Sequence, residues 1–582
     1  MKETERKIYA VPLYLVMLVP LIVYGHLADT GLSGFAWFSE HGKSFDLFLY
    51  HKRNVILAVA CLILVFGTVM LFRGDFSVSV RKKMLSVFLP FGIYTGLVFF
   101  SSVASPYREY AWNGMPEQYE SAFVIGGYFL ICVYAYMSCC KEIVTAFGIV
   151  CCIIGGIGTL QFLGLDPYRM SFLQKIIMPE ALKGIAFNIT AEVGRSYCSL
   201  SNPNYAGMFC VLTIPVLIAL AVCSKTRRGR VLYGTACGLM CFSLIGSRSK
   251  SGIMVLAICL VFMAVLFRKT IVRSVPMRRV SIRVAMIGTV AVLGLAACVM
   301  VYRWGEFWNY DDHPDTATNR IVTGDERVEM VYRGRQLFFD VDYSAASLIE
   351  ALHVTDENGQ AYEVFEEDEA LHFTEKKLSK FTAALAQYGD YIALEIWDGN
   401  FYWYFTNQTE DHTWYYLTCY GKPDKLNSDT IPVCKWFEGK ERIVSGRGYI
   451  WSRTLPIMKK TVLLGSGQDC FTVVFPNQDY LGKARWGYKD MLITKPHCMY
   501  LQIAIQSGVV SLIALIFFWG RFVIGAFTGK KSGTEDALLK TIAVGVTGYL
   551  LMGITNDSSV GVAPIFWMLV GAGLRMMNEE QE

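Results

Sequence analysis

Runs of about 17–25 apolar residues recur along this chain, each long enough to cross a bilayer as a helix. In hydrocarbon a segment must satisfy its own backbone N–H and C=O groups, so such runs fold as helices or closed barrels. We count twelve, near 8–25, 54–72, 84–103, 121–139, 143–163, 205–223, 231–246, 252–267, 284–302, 499–522, 538–554 and 560–577. The runs near 231–246 and 252–267 are short and merge in a different count. The chain is 53% hydrophobic and 18% charged over 582 residues, too apolar for a soluble protein of this size. No small-residue cleavage site follows the first run, which argues against a removable signal peptide.

Basic residues orient the runs. With the N-terminus cytoplasmic, the inside segments carry Lys2, Arg6 and Lys7; Arg73, Arg81, Lys82 and Lys83; Lys141; Lys225, Arg227, Arg228 and Arg230; Arg268, Lys269, Arg273, Arg278, Arg279 and Arg283; and Lys530 and Lys531. The C-terminus then also lies inside. The net charge of +5 is mostly this orientation signal rather than a nucleic-acid footprint, because the charges flank runs one by one. All eight histidines fall outside, as does one large loop over 303–498.

The front of that loop is polar and rich in alternating aromatics. Tyr391 to Trp397, Asp398-Gly399-Asn400 and Phe401 to Thr406 read as a β-hairpin. Arg327–Tyr332, Gln336–Val341 and Trp414–Cys419 read as further strands, and Lys377–Gln387 as a helix. Most of the 17 cysteines lie within apolar runs, where they act as small hydrophobes. Outside them, spacing permits a Cys419–Cys434 bridge without requiring it.

The run interiors hold almost no ionisable residue; Gln161, Gln502 and Gln506 are the notable polar ones. Ion-coupled transport usually needs ionisable groups near the midplane, so this absence counts against a transporter. The polar chemistry collects at the outer ends instead. Val193 to Gly207 brings Arg195, Asn202 and Asn204 to the start of the sixth run. Pro203 suits a first helical turn, and Ser201 or Asn202 can cap it; Asn202 and Asn204 are therefore either capping residues or ligand contacts. Gly246-Ser247-Arg248-Ser249-Lys250-Ser251-Gly252 is a tight turn with two cations and three hydroxyls. It is either a snorkelling turn or a grip for phosphate oxygens, which Arg can hold bidentately. Arg447, in Ser445-Gly446-Arg447-Gly448, is a helix-start surface charge or a third phosphate ligand. His497 stands at the mouth of the tenth run. It is a polar cap, or a base that takes a proton from an attacking hydroxyl near neutral pH. Asp311-Asp312-His313-Pro314-Asp315 has the chemistry to hold a divalent metal, but a solvated acidic turn is the better reading.

Five motifs in order carry a resemblance. They are Gly-Arg with Asn-Pro-Asn-Tyr-Ala-Gly, Gly-Ser-Arg-Ser, Ser-Gly-Arg-x-x-x-Trp, Leu-Gly-x-Gly-x-x-x-Phe, and His-x-x-Tyr-Leu-Gln-x-x-x-x-x-Gly. Together they resemble the O-antigen ligase/polymerase family of bacterial membrane glycosyltransferases, over about 190–265 and 440–520. Run count and composition divide the chain into helices 1–9 over 1–302, a β-rich extracytoplasmic insert between helices 9 and 10 over 303–445, an extracytoplasmic loop over 446–498, and helices 10–12 over 499–582. The resemblance implies that this polytopic all-α membrane protein is of GT-C type and that the 446–498 loop is catalytic. It implies transfer of a glycan from undecaprenyl diphosphate to an acceptor at the outer face of a bacterial cytoplasmic membrane. His497 and Arg248 are then catalytic, with His497 as the base. Arg195, Arg447, Lys250, Asn202, Asn204 and Tyr500 bind the diphosphate or glycan. It implies no metal, no nucleotide sugar and no other cofactor, and inversion at the anomeric centre. The partners are the lipid-linked donor, a glycan, lipid, wall-polymer or protein acceptor, and membrane lipid. Cys498 stands where the family often has Asn, and Gln506 where it often has Glu. The insert is outside the family core; Trp397, Trp403, Trp414 and Tyr416 in it can stack on sugars or form a sandwich core. Ligation, repeat-unit polymerisation, glycan or lipid export and non-catalytic scaffolding remain as alternatives in that order.

Overall fold

A computed structural model describes residues 8–73, 78–139, 143–183, 189, 191–267, 317–529 and 533–578. Its apolar part is a bundle of helices: α1 (Val11–Leu18, continued by a 3-10 turn to Leu21), α2 (Tyr50–Phe72), α3 (Val78–Ala104), α4 (Ala122–Ser138), α5 (Ile143–Phe162), α6 (Pro203–Cys223), α7 (Arg227–Ser247) and α8 (Lys250–Leu266). After the β-rich region come α9 (Arg447–Met458), α10 (Met499–Gln506), α11 (Val509–Thr528), α12 (Gly533–Met552) and α13 (Ala563–Asn578). Among the described residues six helices are long and apolar enough to cross a membrane: α2, α3, α5, α6, α7 and α11. The first apolar segment, α4 and α8 are apolar but shorter. This is a membrane-embedded protein. The ninth expected run, 284–302, and the acidic Asp311–Asp315 motif lie outside the described residues.

Local chemistry sets the helix ends. Pro203 opens α6 and Asn202 caps it, accepting from Asn204 N–H at 2.8 Å. Ser249 caps α8 through Gly252 N–H, so the two short runs are separate helices divided by Arg248 and Ser249. Arg248 ends α7 in the left-handed conformation, with φ of 53°.

The run at 499–522 is not one span. It breaks at Ser507-Gly508, and residues 461–467 bond into the gap. Ser466 N–H and Gly467 N–H donate to the carbonyls of Ile505 and Gln506, while Val509 and Val510 N–H donate to those of Thr461 and Val462. Helix-end groups that would be orphaned in hydrocarbon thus find protein partners. Gly465 makes this possible: a Cβ there would lie 2.1 Å from the Gln506 backbone. Ser101 on α3 supports the joint, accepting from Gly465 N–H and donating to the Ser507 carbonyl.

Beyond a two-stranded antiparallel sheet of β1 (His26–Asp29) and β2 (Lys43–Asp46), the β-rich region has a four-stranded sheet, β3 (Thr318–Thr323), β4 (Val328–Tyr332), β5 (Arg335–Val341) and β6 (Leu352–Thr355), each paired antiparallel to the next. A second sheet of seven strands runs from β7 (Val364–Glu367) through β8 (Ala370–Phe373), β9 (Thr382–Tyr388), β10 (Tyr391–Trp397), β11 (Tyr402–Thr406) and β12 (Tyr415–Leu417) to β13 (Pro423–Asp424). The hairpin at 391–406 is present, with Trp397 opposite Tyr402. The helix expected over Lys377–Gln387 is instead a 3-10 turn at Lys376–Leu378 followed by β9. The hydrophobic alternation of β9 against β10 overrides local helix propensity. Trp403, Trp414 and Tyr416 form the core, and Trp397 lies on the opposite face of its strand from the core residues Leu394 and Ile396. Cys419 and Cys434 are free thiols. That core also takes in Tyr480, Leu481 and Ala484 of the 446–498 loop, so β domain and loop pack as one.

Gly465→Ala is expected to lower thermal stability in detergent by about 1–3 kcal/mol, because its methyl meets backbone that cannot move aside. A melting curve identical to wild type would show that the loop is not seated in the helix break.

Candidate functional site

His497 lies in the turn before α10, with φ of 51°, an uncommon backbone conformation for a side chain without glycine's freedom. Its Nδ1 is 3.0 Å from Oδ2 of Asp557. Asp557 is buried in the α12–α13 connection, at 1% exposure, and its Oδ1 accepts Cys498 N–H at 3.1 Å. Met499 N–H donates to the carbonyls of Gly553 and Asn556, pinning the turn to the same connection. A neutral ring that donates Nδ1–H to Asp557 carries its lone pair on Nε2. That nitrogen makes no hydrogen bond among the described residues, and 43% of the side chain is exposed.

Two cations flank the pair. Lys495 donates to the Glu117 carbonyl at 2.9 Å and to the Tyr205 hydroxyl at 3.4 Å. Arg447 opens α9; its half-buried guanidinium makes no hydrogen bond or ion pair among the described residues. Burial pulls its pKa down while Asp557 and Tyr205 push it back up, which places Arg447 within electrostatic reach of both. Arginine remains charged at neutral pH.

The other sequence-predicted cations form a second group at the α6–α8 end. Arg195 Nε donates to the Ser247 carbonyl at 3.3 Å, and Ser196 N–H to that of Gly246 at 2.9 Å. Arg248 pairs with Glu192 at 3.5 Å, both largely exposed, so the pair adds little stability and is easily exchanged for another anion. Lys250 is exposed at the start of α8. The first turn of α6 joins the groups: Tyr205 reaches Lys495, and Gly207 packs so closely on Ser249 that a Cβ would lie 2.8 Å from its hydroxyl. Asn202 is a helix cap. Asn204 is half-buried, with no side-chain hydrogen bond among the described residues. Tyr500 donates its hydroxyl to the Leu550 carbonyl at 2.7 Å, a tie between α10 and α12.

Sequence reasoning missed Asp557, Lys495, Glu117 and Glu120. Asp557 and Glu120 are acids at the mouths of apolar runs, which is the signal that finds them. Glu120 is buried and accepts from Tyr128 and Ser558 hydroxyls, both at 2.8 Å. Burial pushes its carboxyl up to about 7, against the hydrogen bonds of Ser558 and Tyr128. Asp469 is likewise pushed up to about 8 by burial, although Met115 N–H bonds to it. The buried Arg453–Asp479 pair at 2.9 Å, joined by the Tyr449 hydroxyl, braces the loop behind the site.

No family profile, curated protein or solved structure matches this chain.

Glu120 generates a pH prediction. Its folded value lies above the ordinary carboxylate value, so between about 4.5 and 7 the folded state binds more protons than the unfolded one. Stability therefore falls as pH rises through that window. Glu120→Gln keeps an acceptor and cannot ionise. Its melting temperature relative to wild type is expected to climb from pH 5 to pH 7.5, an effect on the order of 3 kcal/mol. A pH-independent difference between the two melting curves would refute the assignment.

Proposed function

We propose that the protein transfers a glycan from undecaprenyl diphosphate to a hydroxyl acceptor, as an O-antigen ligase-like, metal-independent inverting glycosyltransferase. The observation that carries this reading is His497 held at Nδ1 by buried Asp557, with its Nε2 and the guanidinium of Arg447, which feels the Asp557 charge, both free of hydrogen-bond partners among the described residues. His497 Nε2 takes the proton of the acceptor hydroxyl as its oxygen attacks the anomeric carbon. The bond from that carbon to the diphosphate oxygen breaks, and undecaprenyl diphosphate leaves. Asp557 fixes the tautomer and stabilises the imidazolium, the role a carboxylate plays beside any histidine base. Arg447 and Lys495 stabilise the negative charge gathering on the leaving group, and Arg195, Arg248 and Lys250 hold the diphosphate farther out. Asn204 remains a candidate glycan contact.

In this reading the apolar helices belong to a GT-C type bundle of twelve spans in a bacterial cytoplasmic membrane. Both termini face the cytoplasm, and the β domain and 446–498 loop face outward. Repeat-unit polymerisation uses the same chemistry with a lipid-linked glycan as acceptor.

The test is glycan profiling of a strain lacking the protein, complemented with wild type or variants. His497→Asn, whose amide can still donate to Asp557, is expected to express and melt near wild type and to lose turnover by about 10²–10⁴-fold, whereas His497→Ala, which leaves buried Asp557 short of a partner, is expected to lose turnover and also to melt lower. Arg447→Ala is expected to weaken binding of the lipid-linked donor. Long lipid-linked chains accumulating without surface polymer mark a ligase, and single lipid-linked repeats mark a polymerase. Full complementation by either His497 variant would remove the catalytic reading.

A further inference from the structure

Among the apolar helices lies a cavity of about 30 Å³, lined among others by Glu120, Tyr128, Gln502, Gln506, Trp519 and Ser558. Two of the lining side chains are buried donors without a protein partner among the described residues: Gln506 Nε2 and Trp519 Nε1. Gln506 is 1% exposed and Trp519 is 4% exposed. Glu120 spends one oxygen, Oε1, on both Ser558 and Tyr128. Its Oε2 accepts no hydrogen bond among the described residues. Two unpartnered donors and the Glu120 carboxylate thus line one small cavity whose remaining walls are largely apolar. A water needs roughly 10–15 Å³ of such space and two to four polar partners, so the cavity has room for one or two. Without them, buried polar groups would stand unpaired at a cost that proteins rarely carry.

The same carboxylate reaches the catalytic pair. Ser558 follows Asp557 directly and is held from two sides: its hydroxyl donates to Glu120 at 2.8 Å, and its N–H donates to Gln502 Oε1 at 3.3 Å. Gln502 is in turn fixed by Gln118, whose own amide donates to the Thr494 carbonyl three residues before His497. The direction of the Asp557 carboxylate, and so of the His497 ring, is set by this frame.

We propose that the cavity is a structural water site bridging Glu120 to Gln506 and Trp519, and that Glu120, acting through Ser558, is a positioning residue for His497. The second part rests on the reading of His497 as the base.

The full chain in nanodiscs tests both parts. Trp519→Phe and Gln506→Met each keep the apolar shape and delete one donor. If water occupies the site, each removes one of its partners, and the melting temperature falls. If the site is dry, each removes an unpaired donor, and the melting temperature rises; a rise in both overturns the water site. For positioning, Glu120→Ala and Ser558→Ala are expected to lower kcat by about 10–100-fold with the donor KM unchanged. Glu120→Gln, which retains the acceptor, recovers most of it. The downfield Nδ1–H resonance of His497, assigned by its loss in His497→Ala, is expected to weaken in Glu120→Ala and persist in Glu120→Gln. Unchanged kcat and unchanged resonance in Glu120→Ala and Ser558→Ala overturn the positioning role. Because the resonance is read without turnover, a His497→Ala variant that stays active would sink the transferase reading and leave the resonance to decide the positioning role by itself.

Discussion

Asp557 sits at the end of an apolar bundle with almost no exposed surface, where a carboxylate left unpaired would cost several kcal/mol. It is satisfied by what the chain brings to it, the Cys498 amide and the His497 imidazole. The geometry proposed for catalysis and the solution to a burial problem are therefore the same contact. Its neighbours follow in sequence. Ser558 binds Glu120 and Gln502, Gln502 binds Gln118, and Gln118 binds the Thr494 carbonyl of the histidine turn. A loop from the α3–α4 connection, a loop after the β domain and the α12–α13 connection are locked to each other by buried polar groups.

The second dependence is backbone rather than side chain. Irregular chain near a membrane is tolerated only where protein buries it. Residues 461–467 and the break between α10 and α11 satisfy each other, and Ser101 of α3 and Ser105 just past its end complete the joint. The break ends α10 after eight residues, two turns beyond His497. The β domain bears on the site through the loop: Tyr480, Leu481 and Ala484 share its core, while Arg453 and Asp479 form a buried pair on the other side. Disturbing the domain core is therefore felt at the loop that carries His497.

Some of this was legible in the residues. Apolar length located the helices, because hydrocarbon admits few other folds. Asn202-Pro203 marked the start of α6, and Asp398-Gly399-Asn400 marked a hairpin, since each reports a local backbone demand. The motif Leu464-Gly465-Ser466-Gly467 was visible but mute. Its glycines answer to a backbone forty residues away, which no local rule reports. Periodicity misread 377–387 because strand pairing with β10 decided that segment. It misread 499–522 because an uninterrupted apolar run does not reveal where another segment will insert. Among the candidate residues, His497, Arg447, Arg195 and Arg248 stood out as charges at helix mouths. Asp557 and Glu120 carried the same signal but are short acids beside long apolar runs, and they drew less notice than the basic residues.

The sequence by itself determined that the chain enters a membrane as helices, that a β-rich region lies within 303–445, and that its charged candidate side chains gather at helix ends. These are consequences of composition and of interactions spanning a few residues. Only the tertiary structure decided that His497 faces Asp557 sixty positions later, that Arg447 lies within electrostatic reach of Asp557 with no hydrogen-bond partner among the described residues, and that Tyr500 and Asn202 are engaged in holding the scaffold. Those outcomes depend on which helix ends are neighbours. That is settled by packing and by the need to pair every buried charge, not by the order of residues along the chain.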